Sequence, residues 1–269
     1  MPSRNPRTAA AHQLLYLAAM SNLPVPKFLG QGPITPTGPQ AQPAKLEPRP
    51  RADRWSLDAW VFWREGSKAA LASAGRIPSY GASQTAGVLR YRLAPASKHD
   101  PRGYFRAYRA LVEGGEGELA LGLSARPIGA IPVRAHAEVR ATRFDRDWEA
   151  RPAAFATTEL APVVLTRSLR AETYLQGGFV GGRNSTPFAD GQVHVIGDVV
   201  ESETARFSLG AAAWGGAQDG TERLDVGPSL RLDLTIGEAP ARFSLDWRER
   251  IAGDAMPDSG VALTLSTRF

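Results

Sequence analysis

One stretch limits what this chain can fold into more than any other: Gly260-Val261-Ala262-Leu263-Thr264-Leu265-Ser266-Thr267-Arg268-Phe269. Val261, Leu263, Leu265 and Phe269 fall on one face; Ala262, Thr264, Ser266 and Arg268 fall on the other. A period of two over about ten residues is a strand with one apolar and one polar side. Strands of soluble domains usually stop near five or six residues. A ten-residue strand that finishes on an aromatic in phase with its apolar side needs an apolar medium against that side, and the same pattern recurs upstream.

From residue 53 onward, alternation predicts about twelve strands, near 55–64, 84–93, 103–111, 118–126, 133–142, 152–160, 169–179, 189–195, 206–214, 223–234, 242–250 and 260–269. The cleanest sets Val133, Ala135, Ala137, Val139 and Ala141 against Arg134, His136, Glu138, Arg140 and Thr142. In the first, Trp55, Leu57, Ala59, Val61 and Trp63 share the apolar face, but Trp60 and Phe62 interrupt the polar one. The third and sixth show little contrast between faces. An even number of long antiparallel strands, apolar on one side with Trp and Tyr near the ends, predicts a closed up-and-down transmembrane β-barrel over 53–269. The competing reading is a soluble all-β sandwich, which also alternates. No apolar run reaches the eighteen or so residues of a membrane-spanning helix, which leaves a barrel untouched.

Residues 1–52 differ in kind. Residues 9–20 read as a short amphipathic helix rather than an export signal, because His12 and Gln13 interrupt the apolar centre. Pro24, Pro26, Pro33, Pro36, Pro39, Pro43, Pro48 and Pro50 follow, a composition that builds an extended arm and no core. An exported barrel without a recognisable leader points either to a misplaced start or to the tail of a longer protein. The arm could lie in the periplasm, where a partner could bind it, or thread the lumen, and the sequence does not choose between them.

The chain has 269 residues and Lys+Arg 32 against Asp+Glu 27, a net +5. Lysine occurs only at Lys27, Lys45, Lys68 and Lys98. Arginine is spread strand by strand opposite Asp and Glu, with no basic block, which argues against nucleic acid. With Cys 0 there is no disulfide and no thiolate metal site. Within strands the expected ion pairs are Arg134/Glu138, Arg170/Glu172, Arg223/Asp225, Arg231/Asp233 and Arg242/Asp246. The predicted inward set is Arg90, Arg92, Arg134, His136, Glu138, Arg140, Arg170, Glu172, Arg206, Arg223, Arg231, Arg242 and Arg248. Arginine on a lumen wall favours anionic solutes or acidic polysaccharide, or closes the bore by pairing with lumen acids.

His136 and His194, and Ser208, Ser229 and Ser244, are also expected inward. No Gly-x-Ser-x-Gly or His-Glu-x-x-His spacing occurs, so no catalytic residue, cofactor or metal is assigned. A lipid-modifying barrel enzyme is the remaining alternative. Gly181-Gly182 and Gly215-Gly216 read as loop glycines. Connections are short apart from 65–82, and no loop stands out as a plug.

Several phrases carry a resemblance: Leu89-Arg90-Tyr91-Arg92-Leu93, Leu121-Gly122-Leu123-Ser124-Ala125-Arg126, Gly215-Gly216-Ala217-Gln218, Leu224-Asp225-Val226-Gly227-Pro228, Gly237-Glu238-Ala239-Pro240-Ala241-Arg242 and Leu263-Thr264-Leu265-Ser266. Over 53–269 the chain resembles the C-terminal barrel of NfrA-type phage-adsorption proteins and related exopolysaccharide-export porins. The final strand is similar to the assembly signal of bacterial outer-membrane barrels. The resemblance implies placement in the outer membrane, contact with membrane lipid, and a channel, export or phage-receptor role. In that family a periplasmic tetratricopeptide array precedes the barrel, and none is seen in this sequence.

Overall fold

The computed structural model describes residues 54–67, 81–112, 117–144, 147–182, 185–237 and 239–269. The helix and proline-rich arm expected over 1–52 lie outside the described residues, as does most of the 65–82 connection.

Thirteen strands are described: β1 (Trp55–Arg64), β2 (Gln84–Arg92), β3 (Arg102–Ala110), β4 (Gly117–Ala125), β5 (Val133–Phe144), β6 (Asp147–Thr158), β7 (Val163–Val164), β8 (Leu169–Val180), β9 (Thr186–Glu201), β10 (Ala205–Gln218), β11 (Thr221–Ile236), β12 (Ala239–Gly253) and β13 (Gly260–Arg268). Neighbours in sequence pair antiparallel, β1 pairs with β13, and β6 pairs with β8 past the two-residue β7. The result is a closed ring of twelve staves, with β7 hanging as a flap on β8.

Each expected strand is present, with two corrections. The sixth starts at Asp147 rather than 152. Gly215 and Gly216, expected in a loop, lie inside β10 opposite Gly191 and Asp190. The alternation on either side of the glycine pair decides the strand; neither glycine takes the left-handed conformation that would turn the chain.

Burial is inverted relative to a soluble protein. Leu121 is 69% exposed and Val139 58%, whereas Arg106 is 0% and Arg231 1%. Inversion explains the two low-contrast strands. In β3 the inward residues include Tyr104 and Tyr108, so aromatics sit on the lumen side. In β6 Phe155 points inward and small Ala154 and Ala156 point outward. Trp60 and Phe62, which blur the first strand, are buried lumen residues.

Trp55 and Trp63 both face outward. Eight residues at ~3.4 Å each, tilted by about 40°, separate them by roughly 21 Å of height, close to the apolar band of a membrane barrel.

The β1/β13 seam is doubly fastened. Leu57 and Phe269 exchange two main-chain hydrogen bonds of 2.9 Å. Inside, fully buried Asp58 accepts from Arg90 on β2 and from Arg268 on β13, the latter at 2.8 Å.

Candidate functional site

The lumen gathers the chemistry. Strand period two sends every second residue inward, so the arginines and acids of all twelve staves converge there. Every residue of the expected inward set points into the barrel. Most are buried; Arg92, His136, Arg170 and Arg242 are half-buried.

The pairing is mostly between strands. Glu138 on β5 accepts from Arg106 on β3 at 2.8 Å, from Tyr104 at 2.8 Å and from Arg140. Arg106 also reaches Glu118 at 2.7 Å, which takes the Thr142 hydroxyl at 2.9 Å. Glu172 on β8 gathers Arg170 at 3.2 Å, Arg242 at 3.5 Å and Arg231 on β11.

Two of the expected same-strand pairs form: Arg170/Glu172 and Arg223/Asp225, the second at 2.8 Å. The others are replaced. Arg134 goes to Asp100 and Glu159, Arg231 to Glu172, Arg242 to Asp233 and Glu172, and Asp246 binds Arg248 and Ser229. Residues two apart on a strand are nearly 7 Å apart, while directly opposed residues are about 5 Å apart. The directly opposed residue wins for Arg242 with Asp233 and for Asp246 with Ser229, whereas Arg134 turns to the rim and Arg231 reaches past two staves to Glu172.

Guanidinium groups exceed their acceptors. Nε and one terminal nitrogen of both Arg106 and Arg231, and Nε of Arg248, are buried with no hydrogen-bond partner among the described residues. The lumen wall thus carries unspent donors and positive charge.

At mid-height the wall meets itself. Tyr174 on β8 packs in one buried cluster with Trp60 and Phe62 on β1, the stave across the ring, and with Tyr104 and Trp214. Arg248 lies 4.4 Å from the Trp214 ring centre and 5.0 Å from that of Phe62, a cation–π sandwich.

A second set of inward contacts stands at the end away from Trp55. The turn over residues 254–259 folds inward, with Ala255 and Pro257 buried. Arg223 donates to the carbonyls of Ala255, at 2.7 Å, and Pro257; Arg64 donates to Asp258 O at 3.3 Å. No loop stands out as a plug in the sequence; in the fold this short turn is held at the mouth by two buried arginines that bind its carbonyls.

His136 bonds Thr157 at 3.0 Å and stacks on Phe155; His194 bonds Gln192 at 2.9 Å beside Trp214. Ser208 and Ser229 donate to Asp198 and Asp246. These bonds tie wall side chains to one another, although Nδ1 of His136 and of His194 and Nε2 of Gln192 are buried with no partner among the described residues.

A closed wall that is apolar outside and charged inside requires lipid around it. The chain is an outer-membrane β-barrel. No protein-family profile matches its sequence, and no curated protein does. Several solved structures resemble it in shape. A bacterial polysaccharide outer membrane secretin is 8% identical at TM-score 0.44, covering 80% of this barrel's chain and 97% of its own. The beta domain of the Bordetella autotransporter Brka is 12% identical at 0.44, over 81% and 99%. LpxR from Salmonella typhimurium is 11% identical at 0.43, over 80% and 99%.

At the rim near Trp55 the turns gather charge outside the membrane-spanning strands. Asp100 accepts from Arg92 at 3.0 Å, from Arg102 at 2.9 Å and from Arg134 at 2.8 Å. Burial alone would raise its pKa, but the hydrogen bonds and charge of Arg102, Arg92 and Arg134 outweigh it and hold the group at about 2. Glu159 is lowered in the same way, burial being overcome by Arg134 and Arg126. Depressed carboxylates stabilise the fold above their unfolded pKa of about 4, and that stability is lost as pH falls toward 2. Asp100→Asn tolerates the residue's φ of 41° and removes the charge together with one of the two acceptor oxygens that the three arginines share. It is expected to cost about 3 kcal/mol at pH 7 and to flatten the acid limb between pH 4 and 2. Urea unfolding in lipid vesicles across that range measures both.

Proposed function

We propose that this outer-membrane barrel is a channel or surface-export porin for anionic solutes or acidic polysaccharide, held closed in the state described. The observation that carries this reading is the excess of inward guanidinium groups, with buried N–H donors on Arg106, Arg231 and Arg248 left without acceptors among the described residues. Arginine rings of this kind select anions. The sequence phrases resembling NfrA-type and exopolysaccharide-export barrels support an acidic polysaccharide as cargo and a periplasmic partner acting through residues 1–52. No catalysis is assigned.

Transport requires the Trp214–Arg248–Phe62 belt and the 254–259 turn to yield. Planar-bilayer recording tests this. The wild type is expected to conduct in rare, small, anion-selective openings. Trp214→Ala combined with Arg223→Gln loosens both closures and is expected to raise mean conductance several-fold. Arg231→Gln with Arg248→Gln in that background is expected to lose the anion preference.

The second reading is a permanently sealed barrel serving as a receptor for phage or for a periplasmic partner. The aromatic packing across the lumen favours it. Folded Trp214→Ala/Arg223→Gln barrels that stay silent would decide for it.

A further inference from the structure

The outer wall carries a feature that the lumen does not explain. Across β1–β6 an oblique trough of about 690 Å³ runs over the outward surface. Its sides are Leu89, Phe105, Leu121, Leu123 and Val139. Its floor drops where the outward residues are small: Gly103, between Tyr91 and Leu123, and Ala137, beside Leu123. The volume falls within the roughly 300–1,000 Å³ of sites that hold a defined small molecule.

The trough has polar chemistry at one end. It opens at the girdle beside Trp55 and Tyr91, whose ring centres lie 4.7 Å apart. There exposed Arg54 donates to the Tyr91 hydroxyl at 3.2 Å. One guanidinium is thus tied to Tyr91, a residue of the trough's mouth, at the membrane–water boundary. Arg54 is exposed, and a guanidinium fork matches a phosphate.

We propose that this trough binds one anionic phospholipid, an acyl chain lying along Gly103 and Ala137 and the phosphate received by Arg54. A bare apolar face would hold any chain in passing. Charge placed at the chain's exit gives the site a headgroup preference and hence a defined occupant. The site is separate from the lumen, so its failure leaves the channel reading untouched.

The full chain, folded into nanodiscs of equal phosphatidylglycerol and phosphatidylethanolamine, provides the test by native mass spectrometry. Wild type is expected to keep one phosphatidylglycerol after the surrounding lipid is stripped. Gly103→Leu fills the floor; a Cβ there meets nothing nearer than Leu123 Cδ2 at 3.9 Å, so the barrel should fold, and the retained lipid should be lost. Arg54→Glu should keep a lipid but lose the preference for phosphatidylglycerol by several-fold. Retention unchanged in Gly103→Leu, or equal retention of both lipids by wild type, overturns the proposal and leaves an annular lipid only. Should Gly103→Leu fail to fold, judged by its heat-dependent gel shift, the Arg54→Glu headgroup ratio decides alone.

Discussion

Arginine in place of Leu121 is expected to destabilise the barrel by about 2–4 kcal/mol in a bilayer. Leu121 sits at the centre of β4, 69% exposed, between Phe105 on β3 and Val139 on β5. On a water-facing surface such a change would stay within about 0.5 kcal/mol. The whole difference comes from the medium: a guanidinium at mid-height must either leave water or thin the membrane to reach it. Leu93→Arg, just past the end of β2, is the depth control and should cost at most about 1 kcal/mol. Reversible urea titration in lipid vesicles, with Leu121→Ala as reference, gives both numbers. Equal stability of Leu121→Arg and Leu121→Ala would show that no acyl chains touch this wall.

Glu138→Gln should cost about 3–5 kcal/mol by the same measurement. The substitution keeps size and shape and removes one charge from the centre of a buried cluster. Arg106 would keep Glu118, while Arg140 and the Tyr104 hydroxyl would lose the carboxylate they share. The penalty is that of a buried cation with too little counter-charge rather than the worth of one bond. Arg140→Met in the same chain should recover at least about 1 kcal/mol, because neighbouring members of one network do not add. A loss below about 1 kcal/mol, typical of exposed pairs, would mean that water reaches Glu138 and that the lumen stands open.

The barrel was legible in the sequence because alternation is a local property. Val133 to Thr142 declares both faces without reference to any other strand. The polar face of β1 was harder to read, since Trp60 and Phe62 belong to a lumen cluster whose other members, Tyr174 and Trp214, lie far along the chain. Which residues point inward could be read from period two; which partners they take could not. Arg231 and Asp233 share a strand and a face, yet Arg231 crosses to Glu172 on β8 while Asp233 takes Arg242 on β12. The inward turn over 254–259 was equally hidden. Nothing in Asp254-Ala255-Met256-Pro257-Asp258-Ser259 marks a plug until Arg64 and Arg223 are seen beneath it. The trough at Gly103 was visible only as a glycine in a strand, and its meaning required Tyr91 and Leu123 on either side.

The β1/β13 seam joins residues separated by 210 positions, Asp58 and Arg268. Until β13 arrives, β1 is a raw edge with unanswered amides, and such edges capture other chains. Pairing over that sequence distance is also slow. The growing molecule therefore passes through a long interval as an open ribbon in which the wrong neighbour can add first. Deleting 260–269 should leave it there permanently, prone to clump.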